Sequence, residues 1–375
     1  IDIFRIFDAL NDTRNMAWAM KVAKREGAHV QATICYTISP VHSLDSFVAM
    51  ARELAELGAD SICVKDMAGL LAPYPAFDLV TRLKEAVDLP IQLHTHYTSG
   101  MGTATLLKAI EAGVDVVDTA ISSVALGTSQ PPTETIVHIV EGTERSTGLD
   151  LKLLSEIAAY FARVRGEYRE FESGLPGVDV NVLMYQIPGG MLSNLVSQLR
   201  QQKAEDRYPE VLAEMPRVRA DLGYPPLVTP TSQIVGTQAV FNVLVGERYK
   251  VVSEEVRNYL RGLYGRPPGA INPELRRQVL GDEQPVDVRP ADLLEPGLER
   301  ARQELGDLAR SEEDVVLYAL FPQVAREFFQ RRAKGFATEP EVPQMAVAAA
   351  TRPAQAGEAQ PVSLWKLASR IGRRS

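Results

Sequence analysis

The chain has 375 residues, a formal net charge of −8, 45% hydrophobic and 23% charged residues, which is the composition of a globular protein of one or two domains. No apolar run approaches the roughly 18 residues that a membrane-spanning helix needs, and 48 acidic against 40 basic side chains argue against nucleic acid as the main partner. Two cysteines, Cys35 and Cys63, exclude a disulfide scaffold and a cysteine-rich zinc module, and predict a reducing, cytoplasmic setting. No secretory signal pattern is present. The sequence opens on Ile1-Asp2-Ile3-Phe4, as if inside a β-strand, so a preceding segment is expected.

Over residues 1–145, apolar runs alternate with amphipathic stretches at a spacing of roughly 30 residues, the pattern of βα units around a parallel sheet. The predicted strands are Ile1–Phe7, Val30–Tyr36, Ser61–Lys65, Ile91–His96 and Val116–Ile121. Ser43 and Asp45 precede a helical stripe of Phe47, Met50, Ala51, Leu54 and Leu57. Pro75 is placed at the first turn of a helix carrying Phe77, Val80, Leu83 and Val87. Glu26-Gly27-Ala28, Leu57-Gly58-Ala59 and Ala112-Gly113-Val114 each close a helix just before a strand, where glycine supplies the left-handed C′ position. A closed (β/α)8 barrel needs about eight such units, and a flavodoxin-like open sheet about five; the repeat alone leaves both open.

Residues 146–333 read as a mainly helical second domain, with a stripe of Leu151, Leu154, Ile157, Phe161 and Val164, and loop-rich breaks at Gln186–Gly190 and Gly223–Thr231. Residues 334–375 are rich in Ala, Pro, Gln and Glu and end in a basic amphipathic stretch, Leu364 to Arg374, which reads as a linker with either a solvated tail or a docking segment.

His94-Thr95-His96 carries the strongest chemical signal. Residues i and i+2 of a strand share a face, and the C-terminal end of a parallel strand is where α/β folds place their sites. Two neutral imidazoles there suit a divalent ion, although the pair alone also fits two satisfied histidines. Lys65 shares a face with Ser61 and Cys63. Pointing inward, its ammonium is costly to desolvate, and the neutral amine can add CO₂ to give an anionic carbamate ligand; the other reading is a lysine that snorkels out to Asp66. Arg5, in phase with Ile3 and Phe7, needs an anion: a planar carboxylate held bidentately, or Asp8 or Asp2. Thr128, in Gly127-Thr128-Ser129-Gln130-Pro131-Pro132, places a hydroxyl on a loop at the strand mouth.

These segments together resemble the carboxyltransferase component of biotin-dependent enzymes: the α subunit of oxaloacetate decarboxylase, the separate carboxyltransferase subunit of pyruvate carboxylase and a subunit of transcarboxylase. The matching stretches are Phe4–Asn11, Ala32–Thr37, Val64–Gly69, His94–His96, Gly127–Pro131, Pro188–Leu195 and Val228–Gly236, in the family's order. The resemblance implies an α/β fold: a TIM (β/α)8-type barrel lacking its first βα units, followed by a mainly α-helical domain. It implies Lys65 as a carbamylated metal ligand with His94 and His96, Arg5 as the keto-acid carboxylate's partner, and Thr128 as a proton shuttle between the pyruvate methyl group and biotin N1. The metal is expected to be zinc, with manganese or cobalt as alternatives. The activity is carboxyl transfer between carboxybiotin and pyruvate/oxaloacetate through a metal-stabilised enolate, in either direction. The second-domain wording is nearer the decarboxylase α and separate-subunit carboxylase branch than the single-chain carboxylase.

Two departures follow. The family's aspartate ligand, on the first of three further βα units, has no counterpart here. No Met-Lys-Met biotin site follows the linker, so biotin is expected on a separate carrier chain. The implied partners are a biotin carboxyl carrier protein, a biotin carboxylase or membrane decarboxylase subunits, and further copies of the chain in a homo-oligomer. The alternatives are a metal-dependent aldol/Claisen lyase or synthase of the HMG-CoA lyase type, and an inactive fragment.

Overall fold

The structure, a computed structural model, describes residues 1–169, 177–187, 195, 199–200 and 202–335. The stretch 188–194 and the segment from 336 onward therefore lie outside the described residues. Strands β1 (Ile3–Ile6), β2 (His29–Cys35), β3 (Ser61–Asp66), β4 (Ile91–Thr95) and β5 (Val116–Val117) form one sheet in the order β1-β2-β3-β4-β5, all parallel. Helices α1 (Thr13–Arg25), α2 (Leu44–Glu56), α3 (Pro73–Ala86) and α4 (Gly102–Glu111) make the crossovers, followed by α5 (Thr133–Val140) and α6 (Leu151–Glu167).

The local chemistry accounts for most boundaries. Ser43 caps α2 and exchanges hydrogen bonds with Ser46 in a capping box. Helix α3 starts two residues before the expected position: Pro73 is its first residue, and Pro75 falls within the same first turn, where its missing N–H is also harmless. Strand β5 is shorter than the expected Val116–Ile121. The Asp118 N–H still reaches Leu93 O at 3.0 Å, but the Ala120 N–H donates to Pro131 O at 3.0 Å and the Thr133 N–H to Ala120 O at 2.8 Å, so the chain has turned onto the following loop. Gly27, Gly58 and Gly113 all adopt positive φ (+79°, +94° and +94°), as the repeated turn requires.

The two faces of the sheet differ. Outward, Val30, Ala32, Ile34, Ile62, Val64, Ile91 and Leu93 pack under Met16, Met20, Leu54, Leu79 and Leu83, each buried chain larger than alanine contributing roughly 1.5–3 kcal/mol. Inward face Arg5, Gln31, Lys65, Gln92 and His94, set by the register pairs Arg5↔Gln31, Cys63↔Gln92 and Lys65↔His94. In a flat sheet four strand steps would hold β1 and β5 about 19 Å apart, too far for an arginine and an aspartate to meet. Arg5 Nη1 nevertheless lies 2.7 Å from Asp118 Oδ2. The sheet is therefore curled about its polar face, as in part of a barrel.

Residues Ile1–Pro290 form one compact unit, and a second begins at Ala291. The first also contains α7 (Tyr208–Asp221), α8 (Thr231–Val245), α9 (Glu254–Leu260) and α10 (Pro273–Leu280), which enclose a second core around Val211, Met215, Val235, Ala239, Tyr259 and Leu260. Buried Arg219 joins these helices to the sheet, donating to Pro225 O (2.9 Å), Thr37 Oγ1 (2.8 Å) and Ile38 O (3.2 Å). The second unit contains α11 (Leu298–Leu305), α12 (Glu312–Leu320) and α13 (Pro322–Ala333), with a small core of Ala301, Leu305, Val315, Tyr318, Ala325 and Phe329. Among the described residues no helix is long and apolar enough to cross a membrane. Helix α6 forms where its stripe predicts it, but none of its residues is buried. Apolar periodicity thus locates the helix without locating its cover.

At Gly58 an added Cβ would meet nothing within 4 Å, so substitution there costs only the left-handed backbone. Gly58→Ala should destabilise the chain by roughly 1–2 kcal/mol, read as a lower urea midpoint at constant m. Gly166→Ala, also with open space but inside α6, should not destabilise it.

Candidate active site

The C-terminal ends of β3, β4 and β5 and the loops behind them bring the sequence-selected residues to one mouth of the sheet. His94 is in β4 and His96 lies just beyond it. Their Nε2 atoms face each other at 3.1 Å, with ring planes 67° apart. Both Nδ1 atoms have partners: His94 Nδ1 lies 2.7 Å from Asp118 Oδ2, and His96 Nδ1 2.6 Å from Thr128 O. A carbonyl oxygen can only accept, so His96 Nδ1 carries the hydrogen in this contact and the lone pair is at Nε2. Burial, with His94 and Lys65 nearby, pushes His96 down to about 4 despite the Thr128 carbonyl, so its imidazole is neutral at pH 7.

Facing Nε2 atoms at this separation share either a hydrogen or a cation. Two nitrogens bound tetrahedrally at 2.0–2.1 Å would be about 3.3 Å apart, close to the observed spacing. The donor set therefore fits a divalent ion. Among the described residues no cluster of three or more His, Cys, Asp and Glu side chains converges on one point.

Lys65 is the register neighbour of His94 and is half-buried. Its Nζ lies 3.8 Å from the centroid of the Phe7 ring. Burial lowers its pKa, and the Arg5 charge acts in the same direction. It does not pair with Asp66. That carboxylate is fully buried and accepts from the Leu70 and Leu71 N–H groups, both at 2.9 Å, and from Thr95 Oγ1 at 2.8 Å.

Arg5 has an anionic partner, but neither Asp8 nor Asp2. Its Nη1 and Nη2 contact Asp118 at 2.7 and 3.5 Å, and its Nε donates to Gln31 Oε1 at 2.6 Å. Burial alone would raise Asp118, but hydrogen bonds from His94 and Arg5 outweigh it and hold the carboxyl at about 2. Thr128 enters the site through its backbone carbonyl. The loop carrying it has positive φ at Leu126 and Gly127 and is fixed by the Tyr97 N–H donating to Ser129 O at 2.7 Å.

Sequence reasoning missed Asp118, Gln31, Gln92 and Asn11. The signal for the two glutamines was present: each sits in a strand between fully buried apolar residues, which forces its amide to the opposite face. Asp118 is in phase with Val116, although the short β5 weakens that pattern. Asn11 carried no comparable sign. Its side chain extends the β1–β2 ladder, donating to Cys35 O at 2.9 Å and accepting from Cys35 N at 2.8 Å.

Two families match the chain: an HMGL-like family over residues 10–160 and a conserved carboxylase domain over 182–364. The methylmalonyl-CoA carboxyltransferase 5S subunit of Propionibacterium freudenreichii subsp. shermanii is 51% identical, over 89% of this chain and 67% of that protein. The chain belongs to the carboxyltransferase family of biotin-dependent enzymes. A pyruvate carboxylase subunit from Methanocaldococcus jannaschii is 60% identical over 89% of this chain, which spans 60% of that relative's length. The carboxyl transferase domain of Rhizobium etli pyruvate carboxylase with pyruvate and biocytin superposes with a TM-score of 0.85 at 36% identity, covering 90% of this chain and 60% of the domain. The fold is that family's barrel-type α/β sheet followed by a helical region.

Asn11 has φ +60° and partners the fully buried Cys35 backbone. Asn11→Ala leaves an N–H and a C=O without those bonds and strains the turn, so it should cost about 3 kcal/mol in chemical denaturation.

Proposed function

We propose that this chain moves a carboxyl group between biotin, carried on a separate chain, and pyruvate/oxaloacetate, either as the separate carboxyltransferase subunit of a pyruvate carboxylase or as the α subunit of an oxaloacetate decarboxylase. The observation that carries the reading is the histidine pair, with both Nδ1 atoms held by partners and both Nε2 atoms facing each other beside an inward lysine and arginine. His94, His96 and Lys65 would hold a divalent ion, zinc before manganese or cobalt. Lys65 would do so as a carbamate, formed when its neutral amine adds CO₂ and releases one proton. The bound ion would supply Lewis-acid stabilisation to the oxygen of the developing enolate.

Arg5 holds the keto-acid carboxylate through the N–H groups that Asp118 and Gln31 do not use, and so orients the three-carbon acid. In decarboxylation the C3–C4 bond of oxaloacetate breaks, the carboxyl group passes to biotin N1, and the N1 proton passes through the Thr128 hydroxyl to C3, giving pyruvate. The opposite direction reverses each step. The match of residues 182–364 to a conserved carboxylase domain favours this reading over an aldol/Claisen lyase.

We keep the division into 1–145, 146–333 and 334–375 for the barrel part, the helical carboxyltransferase part and the linker; the two family matches meet between residues 160 and 182. Strand β1 and the end of β5 are edges, with Ile3, Phe4, Phe7, Val116 and Val124 exposed, and we assign that gap to further βα units of the barrel. A carrier protein, a biotin carboxylase or membrane decarboxylase subunits, further copies of the chain and a cytoplasmic location complete the reading.

The test combines metal analysis with transfer, using the chain together with the remaining barrel segment and a biotinylated carrier. One zinc or cobalt per chain is expected, with Lys65→Ala, His94→Ala and His96→Ala each losing it. Thr128→Ala should keep the metal and lose at least about 100-fold of biotin-dependent oxaloacetate decarboxylation. Unchanged decarboxylation in Thr128→Ala would remove that hydroxyl from the mechanism, and full metal content in Lys65→Ala would end the carbamate assignment.

A further inference from the structure

We infer that Asp118 is a positioning residue for His94: it holds the ring as the Nδ1–H tautomer and turns its Nε2 toward that of His96. The inference rests on the reading of the histidines as metal ligands and names the group that aims one of them. The register pair Gln92↔Val116 puts residue 118 beside His94 on the inner face, and the Asp118 N–H···O=C bond to Leu93, at 3.0 Å, fixes the backbone there.

The side chain is fixed by three residues. Asp118 Oδ2 receives His94 Nδ1 and Arg5 Nη1, both at 2.7 Å, and Oδ1 receives Gln92 Nε2. The donors also form a closed circuit. Arg5 Nε donates to Gln31 Oε1 (2.6 Å), Gln31 Nε2 donates to Gln92 Oε1 (2.7 Å), and Gln92 Nε2 returns to Asp118. Each amide then has one orientation that satisfies its neighbours, and Asp118 is where the circuit meets the histidine.

Beside a guanidinium, the carboxylate is ionised and has no hydrogen to give. The ring nitrogen facing it must therefore carry a hydrogen, and in the neutral ring the lone pair is then at Nε2. Without Asp118 the hydrogen could move to Nε2 and donate to His96 Nε2, which would close the pair to a metal. Partners that orient a metal-binding histidine in this way typically account for about 10–100-fold in metal affinity.

The test uses the full chain labelled with ¹⁵N-histidine, free of metal, followed by cobalt(II) titration against a competing chelator. The His94 imidazole should show its hydrogen on Nδ1. Asp118→Ala should move that hydrogen wholly or partly to Nε2 and weaken cobalt(II) about 10–100-fold, whereas Gln92→Leu, which leaves the Asp118–His94 contact in place, should weaken it less than about threefold. Far-UV circular dichroism checks that both variants fold. Native His94 protonated at Nε2, or native-like cobalt affinity in folded Asp118→Ala, would overturn the assignment. So would an equal loss in Gln92→Leu, which would trace the effect to general packing of the inner face. If Asp118→Ala does not fold, the native tautomer alone decides. Absence of cobalt binding in the native chain would overturn the metal reading, and the tautomer would still report on Asp118.

Discussion

The contact between Arg5 and Asp118 joins the first strand of the sheet to the end of the last, across 113 residues of sequence. It requires curvature, and curvature gives the sheet an inside. The alternation of strand side chains then sorts the residues without further instruction: aliphatic chains go under the helices, and Gln31, Lys65, Gln92 and His94 go inward. Polar groups gathered in this way must satisfy one another. The run of hydrogen bonds from Arg5 through both glutamines to Asp118 does so, and Asp118 carries the network to His94.

The mouth of the sheet is set by groups that are structural in the narrow sense. Asp66 lies beside Lys65 in sequence but points away from the inner face, where it holds the Leu70 and Leu71 amides and the Thr95 hydroxyl. It thereby fixes the turn after β3 and the end of β4 together. Asn11 does the same for β1 and β2 through both polar groups of Cys35. Functional side chains at i and i+2 of short strands are placed only as well as these strand ends are, so burial of Asp66 is the condition under which Lys65 and His94 stay neighbours.

The βα order, the helix ends at Gly27, Gly58 and Gly113, and the inward phase of Arg5, Lys65 and His94 were legible because each depends on local chemistry: a left-handed residue, a cap or a two-residue period. The partner of Arg5 was not. Choosing among Asp2, Asp8 and Asp118 requires the curvature of the whole sheet, which no window of sequence contains. The buried face of α6 was illegible for a related reason, since an apolar stripe shows that a helix has a preferred side and leaves open what lies against it. For His94 and His96 the shared face follows from the strand period, but their tautomers depend on a carboxylate 24 residues away and a carbonyl 32 residues away.

Arg5 illustrates how this network bears on recognition. A guanidinium offers five N–H groups; Asp118 and Gln31 engage three of them here. A keto-acid carboxylate in the proposed reaction therefore meets a cation whose outer fork is already filled by a protein carboxylate, and it must either accept from the remaining N–H groups or compete with Asp118. Competition would pull on the same oxygen that receives His94 Nδ1, because Asp118 Oδ2 serves both donors. Where the acid competes, its binding at Arg5 and the aim of His94 are linked through one atom, and the linkage is reciprocal: whatever holds His94 in place also holds Asp118 against Arg5. In the proposed active site, that single shared oxygen makes the arginine, the aspartate and the histidine one unit.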